Sequence, residues 1–174
     1  MKIYSVTEVL GNWFDASKIA DDVLAAACLR GTDTHTWCAG YSKGGYMLPP
    51  RSEIAGYCES FKNWFDANVT HVLLVERRLT NSAAGFTGKP DFVFELASGE
   101  IALVDIKTPA AENKTWKCQL AAYDALVEWS VDALISLRLR IDGKPAIGRR
   151  YEGSRLTAYN AFLSALNAHR FING

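Results

Sequence analysis

The chain has 174 residues, 49% of them apolar and 22% charged, with 19 Lys and Arg against 19 Asp and Glu. That length and mixture suit one domain with a proper core and exclude a disordered chain. The zero net charge excludes recognition of nucleic acid through bulk electrostatics, so any anionic partner must be held locally. The opening residues 1–18 are interrupted by Glu8 and Asp15 and lack the apolar run of a secretory signal. No stretch approaches the roughly 18 apolar residues of a membrane helix. Cys28, Cys38, Cys58 and Cys118 form no CxxC pair and no zinc spacing. Without an export signal they are expected to be reduced thiols in a cytoplasm, bacterial or that of a phage-infected host.

The first predicted element is an Ala- and Leu-rich helix over 21–41, with Asp21 or Asp22 near its start and Gly31 as an interior cost. Pro49 and Pro50 break the chain. Ser52 then begins a second helix over 52–68, where Ile54, Tyr57, Phe61, Trp64 and Phe65 fall at helical spacing. Residues 70–79 are β-rich, and two further strands, 91–96 and 100–107, flank Ala97-Ser98-Gly99. Helical period returns over 113–129, with Trp116, Leu120, Tyr123 and Val127 on one stripe. Strands over 132–141 and 145–152 are joined at Asp142-Gly143-Lys144, and a last amphipathic helix covers 154–169, with Ser154 as its cap. There is no internal repeat, low-complexity tract or dividing linker. The order implies an α/β fold with a central mixed β-sheet of about five strands flanked by α-helices.

The segment 88–108 poses the chemical question. If Ala97-Ser98-Gly99 is a three-residue hairpin loop with Gly99 left-handed, Leu96 opposes Glu100. Asp91 then opposes Asp105 and Lys89 opposes Lys107, while Asp105 and Lys107 share a strand face. Like charges directly opposed are destabilising, and a divalent cation removes that cost. Mg²⁺ favours one or two carboxylates with water and phosphate oxygens, and a neighbouring lysine can position water or stabilise charge on a phosphoryl group. The plain alternative is a solvent-facing hairpin with ordinary surface charges. Against it, Asp105 lies within the apolar run Ala102-Leu103-Val104-Asp105-Ile106, where a lone buried carboxylate is costly.

Gly88, Pro90-Asp91 and Asp105-Ile106-Lys107 resemble the PD-(D/E)XK nuclease signature, with Asp in the D/E slot. Other pieces resemble the RecB-like exonuclease branch. Residues 30–35 are similar to its helical motif ending in a metal-binding histidine, here His35. Residues 75–79 are similar to its glutamate-bearing strand, here with Glu76. Gln119 and Tyr123 match its QxxxY motif, and residues 4–10 resemble the opening of small stand-alone, phage- or prophage-type members. The resemblance runs from about Ser5 to Tyr123 and implies a restriction-endonuclease-like core. The domain expected is a single one over 1–174, with a helical part over 1–68 and a catalytic α/β core over 70–174.

What the resemblance implies is a Mg²⁺- or Mn²⁺-dependent deoxyribonuclease, an exonuclease of recombination, repair or phage DNA metabolism. His35, Asp91, Asp105 and the Ile106 carbonyl would bind the metal. Lys107 would orient or activate the attacking water. Gln119 and Tyr123, which share a helix face, would brace the site or hydrogen-bond DNA, and Glu76 would support the ligands from behind. Each has a plainer reading: His35 as a satisfied helical histidine, Tyr123 as core, Gln119 capping a loop, Glu76 in a surface ion pair, Trp116 and Trp129 as packing residues. Some relatives carry an iron–sulfur cluster, but no cysteine follows Cys118, so none is expected here. No phosphate-binding Walker loop is present, and any ATP-driven activity would need a recombination or helicase partner.

DNA would be held locally. Residues 138–155 carry Arg138, Arg140, Lys144, Arg149, Arg150 and Arg155 against Asp142 and Glu152, with Arg77, Arg78, Lys114 and Lys117 adding to the supply. Such residues hold phosphates without reading sequence; the alternative is a charged, solvent-facing edge hairpin. The competing functions are a structure-specific endonuclease for flapped or branched DNA, a catalytically silent DNA-binding subunit, and an enzyme acting on RNA.

Overall fold

Three adjacent strands, β5 (Phe92–Leu96), β6 (Ile101–Lys107) and β7 (Ala133–Arg138), are apolar almost throughout, and their side chains point alternately to the two faces of the sheet, building core on both. The structure, a computed structural model, describes residues 2–11, 13, 20–108, 112–153 and 155–174. Phe92, Phe94, Ala102, Val104, Ile106, Ile135 and Leu137 are buried on one side of the sheet. They pack with Cys38 of α2 (Asp21–Ser42) and with Tyr57 and Phe61 of α3 (Ser52–Asn68). Phe61 lies tilted against Phe92 at 5.5 Å, and Phe65 meets Phe94 edge-on at 5.4 Å. Each fully buried Phe contributes roughly 1.5–3 kcal/mol. On the other side, Val93, Leu103 and Leu134 pack against α1 (Val6–Gly11), α4 (Thr115–Asp124) and α5 (Arg155–Asn173). The central strands are covered on both faces, which is why they read as near-continuous apolar runs.

The sheet has five strands in the order β2-β5-β6-β7-β8, with β2 (Val69–Val75) and β8 (Ile147–Arg150) at its edges. Only the β6–β7 pair is parallel, and α4 makes its crossover. The fold is therefore α/β with a five-strand mixed sheet between helices, as the element order implied. The expected hairpin register also holds: Phe92 opposes Val104, Glu95 opposes Ile101, and Gly99 has φ 84°.

The β7–β8 turn is pinned to α3. The Arg140 N–H donates to Ser60 Oγ at 2.9 Å, and Asn63 Nδ2 donates to the Gly143 carbonyl at 3.0 Å. This approach requires Gly56, where a Cβ would lie 1.8 Å from the Ile141 carbonyl oxygen.

Several boundaries depart from expectation. The β-rich stretch 70–79 is not one strand: β2 ends at Val75, and β3 (Leu79–Asn81) belongs to a second sheet. That small sheet, in the order β1-β4-β3, joins β1 (Tyr4–Ser5) to β4 (Phe86–Gly88) in parallel. Strands of two and three residues carry too little pattern to be read from sequence. The helix expected over 113–129 ends at Asp124, and the final helix runs on to Asn173. The proposed cap Ser154 lies outside the described residues. Among the described residues no helix is long and apolar enough to cross a membrane. All four cysteines are free thiols, with Cys28 exposed and the others buried.

Candidate functional site

Two β-bulges in β2 place one of the acidic residues. Val69 pairs with Leu96, His71 with Glu95, Val72 with Phe94 and Leu74 with Val93, so β2 carries an extra residue at two points. An unbroken register from the first pair would set Leu74 opposite Asp91. The two insertions set Glu76 there instead, and the Glu76 N–H donates to the Asp91 carbonyl at 2.8 Å. Glu76 leaves the strand with φ 45°. Left-handed backbone costs a side-chain-bearing residue roughly 1–2 kcal/mol.

His35 arrives from the middle of α2, with Nδ1 3.2 Å from Asp91 Oδ1. One ligand atom each from His35, Glu76 and Asp91 lie within 4.8 Å of one another. The Asp91 Oδ2 accepts the Ile106 N–H at 2.8 Å, so the carboxylate continues the ladder where main-chain pairing with β6 stops. Asp91 is thus braced against β6 rather than set opposite Asp105 in a regular rung. Nor does Lys89 stand opposite Lys107: its Nζ donates to Glu76 Oε2 at 3.0 Å.

Asp105 and Lys107 occupy the β6 face toward α4. Asp105 is 2% exposed, and its Oδ2 is buried without a well-oriented hydrogen bond, 2.5 Å from Lys107 Nζ. Gln119 bridges the pair. Its Oε1 accepts from Lys107 Nζ at 2.9 Å, and its Nε2 lies 3.1 Å from Asp105 Oδ1 and 3.1 Å from Tyr123 Oη. Gln119 and Tyr123, one turn apart on α4, therefore brace the Asp105–Lys107 pair from one side. Gly88 closes the other side of Tyr123; a Cβ there would lie 2.6 Å from the ring.

Burial opposes ionisation of Asp91, but the charge and hydrogen bond of His35 outweigh it and hold the carboxyl below its ordinary value. For Asp105 burial wins: its carboxyl is pushed up to about 6, with Lys107 opposing and Asp91 reinforcing the rise. Burial also works against a charged His35, yet Asp91 raises its pKa above the usual imidazole value. Burial drives the Tyr123 phenol upward, helped by the charges of Asp105 and Asp91, so it stays protonated. Asp91 and Asp105 thus have pKa values pushed apart by their surroundings, in reach of an imidazole and an ammonium, a pattern that marks candidate functional sites.

The donor set, carboxylate oxygens with one imidazole and no thiolate, could hold a metal ion. His35, Glu76 and Asp91 supply three converging atoms; Asp105 stands outside that group, its Oδ2 against the Lys107 ammonium. Glu76 thus stands in the donor cluster, where sequence reasoning had set it behind the ligands. The Ile106 amide holds Asp91, and its side chain is fully buried.

The basic residues are more dispersed and largely paired. Arg77 donates to Glu128 at 2.8 Å and lies over the Trp129 ring, Arg140 pairs with Asp142 at 2.7 Å, Arg150 with Glu100 at 2.6 Å, and Arg149 with Glu112. Arg78 and Lys117 lie outside the donor cluster, Lys114 precedes α4, and Arg138 is the β7 neighbour of Lys107. Sequence reasoning missed Glu112, Ser136 and Tyr151, which meet beside the site; the Ser136 and Tyr151 hydroxyls are 3.1 Å apart, and Tyr151 Oη donates to Glu112 Oε1 at 3.0 Å. No local motif marks them.

No family model matches the chain, and no curated protein matches it in sequence. Among solved structures it is similar to SSO0001, at 15% identity over 99% of this chain and 77% of that one, with a TM-score of 0.49. It is also similar to LHK-Exo, solved in complex with dAMP, at 14% identity over 97% of this chain and 87% of that one, with a TM-score of 0.38.

Proposed function

We propose that the chain is a metal-dependent nuclease of the PD-(D/E)XK type, in its RecB-like branch, hydrolysing phosphodiester bonds of DNA and working from strand ends. The carrying observation is the division of labour between two carboxylates: Asp91 converges with His35 and Glu76, while Asp105 is held by Lys107 and Gln119. A solvated surface hairpin has no use for a buried, mutually braced set of this kind.

His35, Glu76, Asp91 and Asp105 would hold Mg²⁺ or Mn²⁺, with the Ile106 carbonyl completing the set. When bound, the ion would offset phosphate charge and acidify a water. Lys107, aimed by Gln119, would orient the attacking water and stabilise charge building on the phosphate. Tyr123 would fix Gln119, and Gln119 would hold the Lys107 ammonium in place from one side while Asp105 holds it from the other. The single domain over 1–174, the recombination, repair or phage setting and a helicase or recombination partner belong to the same reading. Arg77, Arg78, Lys114, Lys117, Arg138, Arg140, Arg149 and Arg150 would bind strand phosphates, those now ion-paired exchanging partners.

The test is degradation of end-labelled linear single- and double-stranded DNA, beside closed circles, with Mg²⁺, Mn²⁺ or EDTA. Metal-dependent loss of linear DNA with intact circles is expected. Cutting of closed circles would point to the endonuclease, and DNA binding without cleavage under any metal would point to the silent subunit.

A further inference from the structure

The face of the sheet that bears Asp105 and Lys107 does not end at β6. Paired residues on neighbouring strands point the same way. Asp105 pairs with Ser136, and Ser136 with Arg149; Lys107 pairs with Arg138, and Arg138 with Ile147. Two rows of side chains therefore run from the candidate site across β7 to the edge strand β8. At roughly 4.8 Å between strands, Arg138 lies one step from Lys107 and Arg149 two steps from Asp105.

Above these rows lies a cleft of about 440 Å³, lined by Trp116, Ser136, Arg138, Ile147, Arg149 and Glu112. Its volume lies within the range of small-molecule sites, roughly 300–1,000 Å³. Trp116 is the shared wall: it is on α4, one turn before Gln119, and Lys107 Nζ lies 5.6 Å from its ring centroid. The cleft thus opens beside the ammonium of the site. Its chemistry is divided, with indole and Ile147 on one part and a serine hydroxyl and the guanidinium groups of Arg138, Arg149 and Arg150 on the other. Glu112 pairs with Arg149 and accepts from Tyr151 at the rim. β8 is exposed along its whole length, so a strand can enter from the sheet edge.

We infer that this cleft seats the nucleotide next to the scissile phosphate, its phosphate on Arg138 and Arg149 and its sugar and base against Ile147 and the edge of Trp116. The inference rests on the nuclease reading and adds the path of the DNA strand: from the donor cluster across β7 to β8. An apolar wall with paired cations recognises a nucleotide without selecting its base.

The experiment measures binding by fluorescence anisotropy of a labelled oligothymidylate of about twelve nucleotides, without divalent metal, between about 50 and 200 mM salt. It compares the full chain with Arg138→Gln, Ile147→Glu and, as a control on the opposite layer, Lys62→Gln, and follows hydrolysis of the same strand with Mg²⁺. Arg138→Gln is expected to weaken binding about tenfold and to lower the slope of log affinity against log salt by about 0.7, the share of one phosphate contact on a single strand. It should raise KM far more than it lowers kcat. Ile147→Glu, at a half-exposed edge position, should weaken binding with an unchanged melting temperature, and Lys62→Gln should do neither. Wild-type affinity and salt slope in both cleft variants, with metal-dependent cleavage intact, would overturn the cleft assignment and leave the nuclease reading standing. Absence of both binding and cleavage in the wild type would overturn both.

Discussion

Glu76 faces Asp91 because β2 carries two extra residues, and at that position its backbone is held at φ 45°. The strand is distorted to deliver a carboxylate, and strain of this kind is retained where it places a functional group. Two variants separate the roles. Glu76→Gln should keep the fold and lose at least tenfold in Mn²⁺ affinity by calorimetry. Glu76→Gly should relieve the backbone and raise the metal-free melting temperature by about 2–4 °C. An unchanged Mn²⁺ affinity in Glu76→Gln would remove Glu76 from the donor set.

The pH response follows from Asp105 and His35. The Asp105 carboxyl, ordinarily near 3.8, is pushed up to about 6, and the His35 imidazole lies above its usual 6.5. Groups whose folded pKa is raised contribute stability that is full below the unfolded value and lost as pH rises through the folded one. These two therefore favour the metal-free protein at low pH and cease to do so as the pH rises through their folded values. Metal binding needs both deprotonated. The rise in melting temperature on adding Mg²⁺ should be larger at about pH 8 than at about pH 5, and cleavage should climb with pH across that interval. A Mg²⁺ effect equal at both values would contradict the assignment.

Gln119 touches Asp105, Lys107 and Tyr123, so in the proposed mechanism it positions other groups rather than reacting itself. Gln119→Ala should lower kcat by about tenfold to a hundredfold with KM little changed, and shift the acid limb of the pH–rate profile, because Asp105 loses a donor to its charged form. Tyr123→Phe keeps the ring against Gly88 and should cost less. A KM effect without a kcat effect in Gln119→Ala would instead place Gln119 on the DNA.

Two helix glycines should respond with opposite signs. Gly31 lies in mid-helix with open space where an alanine methyl would sit, so Gly31→Ala should stabilise by up to about 1 kcal/mol. Gly56→Ala would drive a Cβ into the Ile141 carbonyl and should destabilise by about 1–3 kcal/mol or more, loosening the β7–β8 hairpin. Urea unfolding of both variants reads the contrast.

Much of this was legible in the sequence because it depends on local period and on one turn. The Gly99 turn fixed the β5–β6 register, and alternation along β5 and β6 fixed which side chains share a face. The grouping of Asp105, Lys107, Gln119 and Tyr123 follows from that alternation and from one helical turn of α4. The place of Glu76 could not be read: bulges leave no mark in composition, and φ 45° at a glutamate has no propensity signal. The ion pairs of Arg140, Arg149 and Arg150 were equally hidden, since Glu112 and Glu100 reach the last two from distant points of the chain. For that reason the six cations of 138–155 look freer in the sequence than they are in the fold.

The measurement that bears most directly on the central claim is Mg²⁺-dependent hydrolysis of linear DNA by the wild type and by Lys107→Ala, with DNA affinity measured on the same samples. Lys107 sits between Asp105, Gln119 and the Trp116 ring. Loss of cleavage by about a hundredfold or more, with binding retained, is the predicted result. Full cleavage by Lys107→Ala would contradict the account.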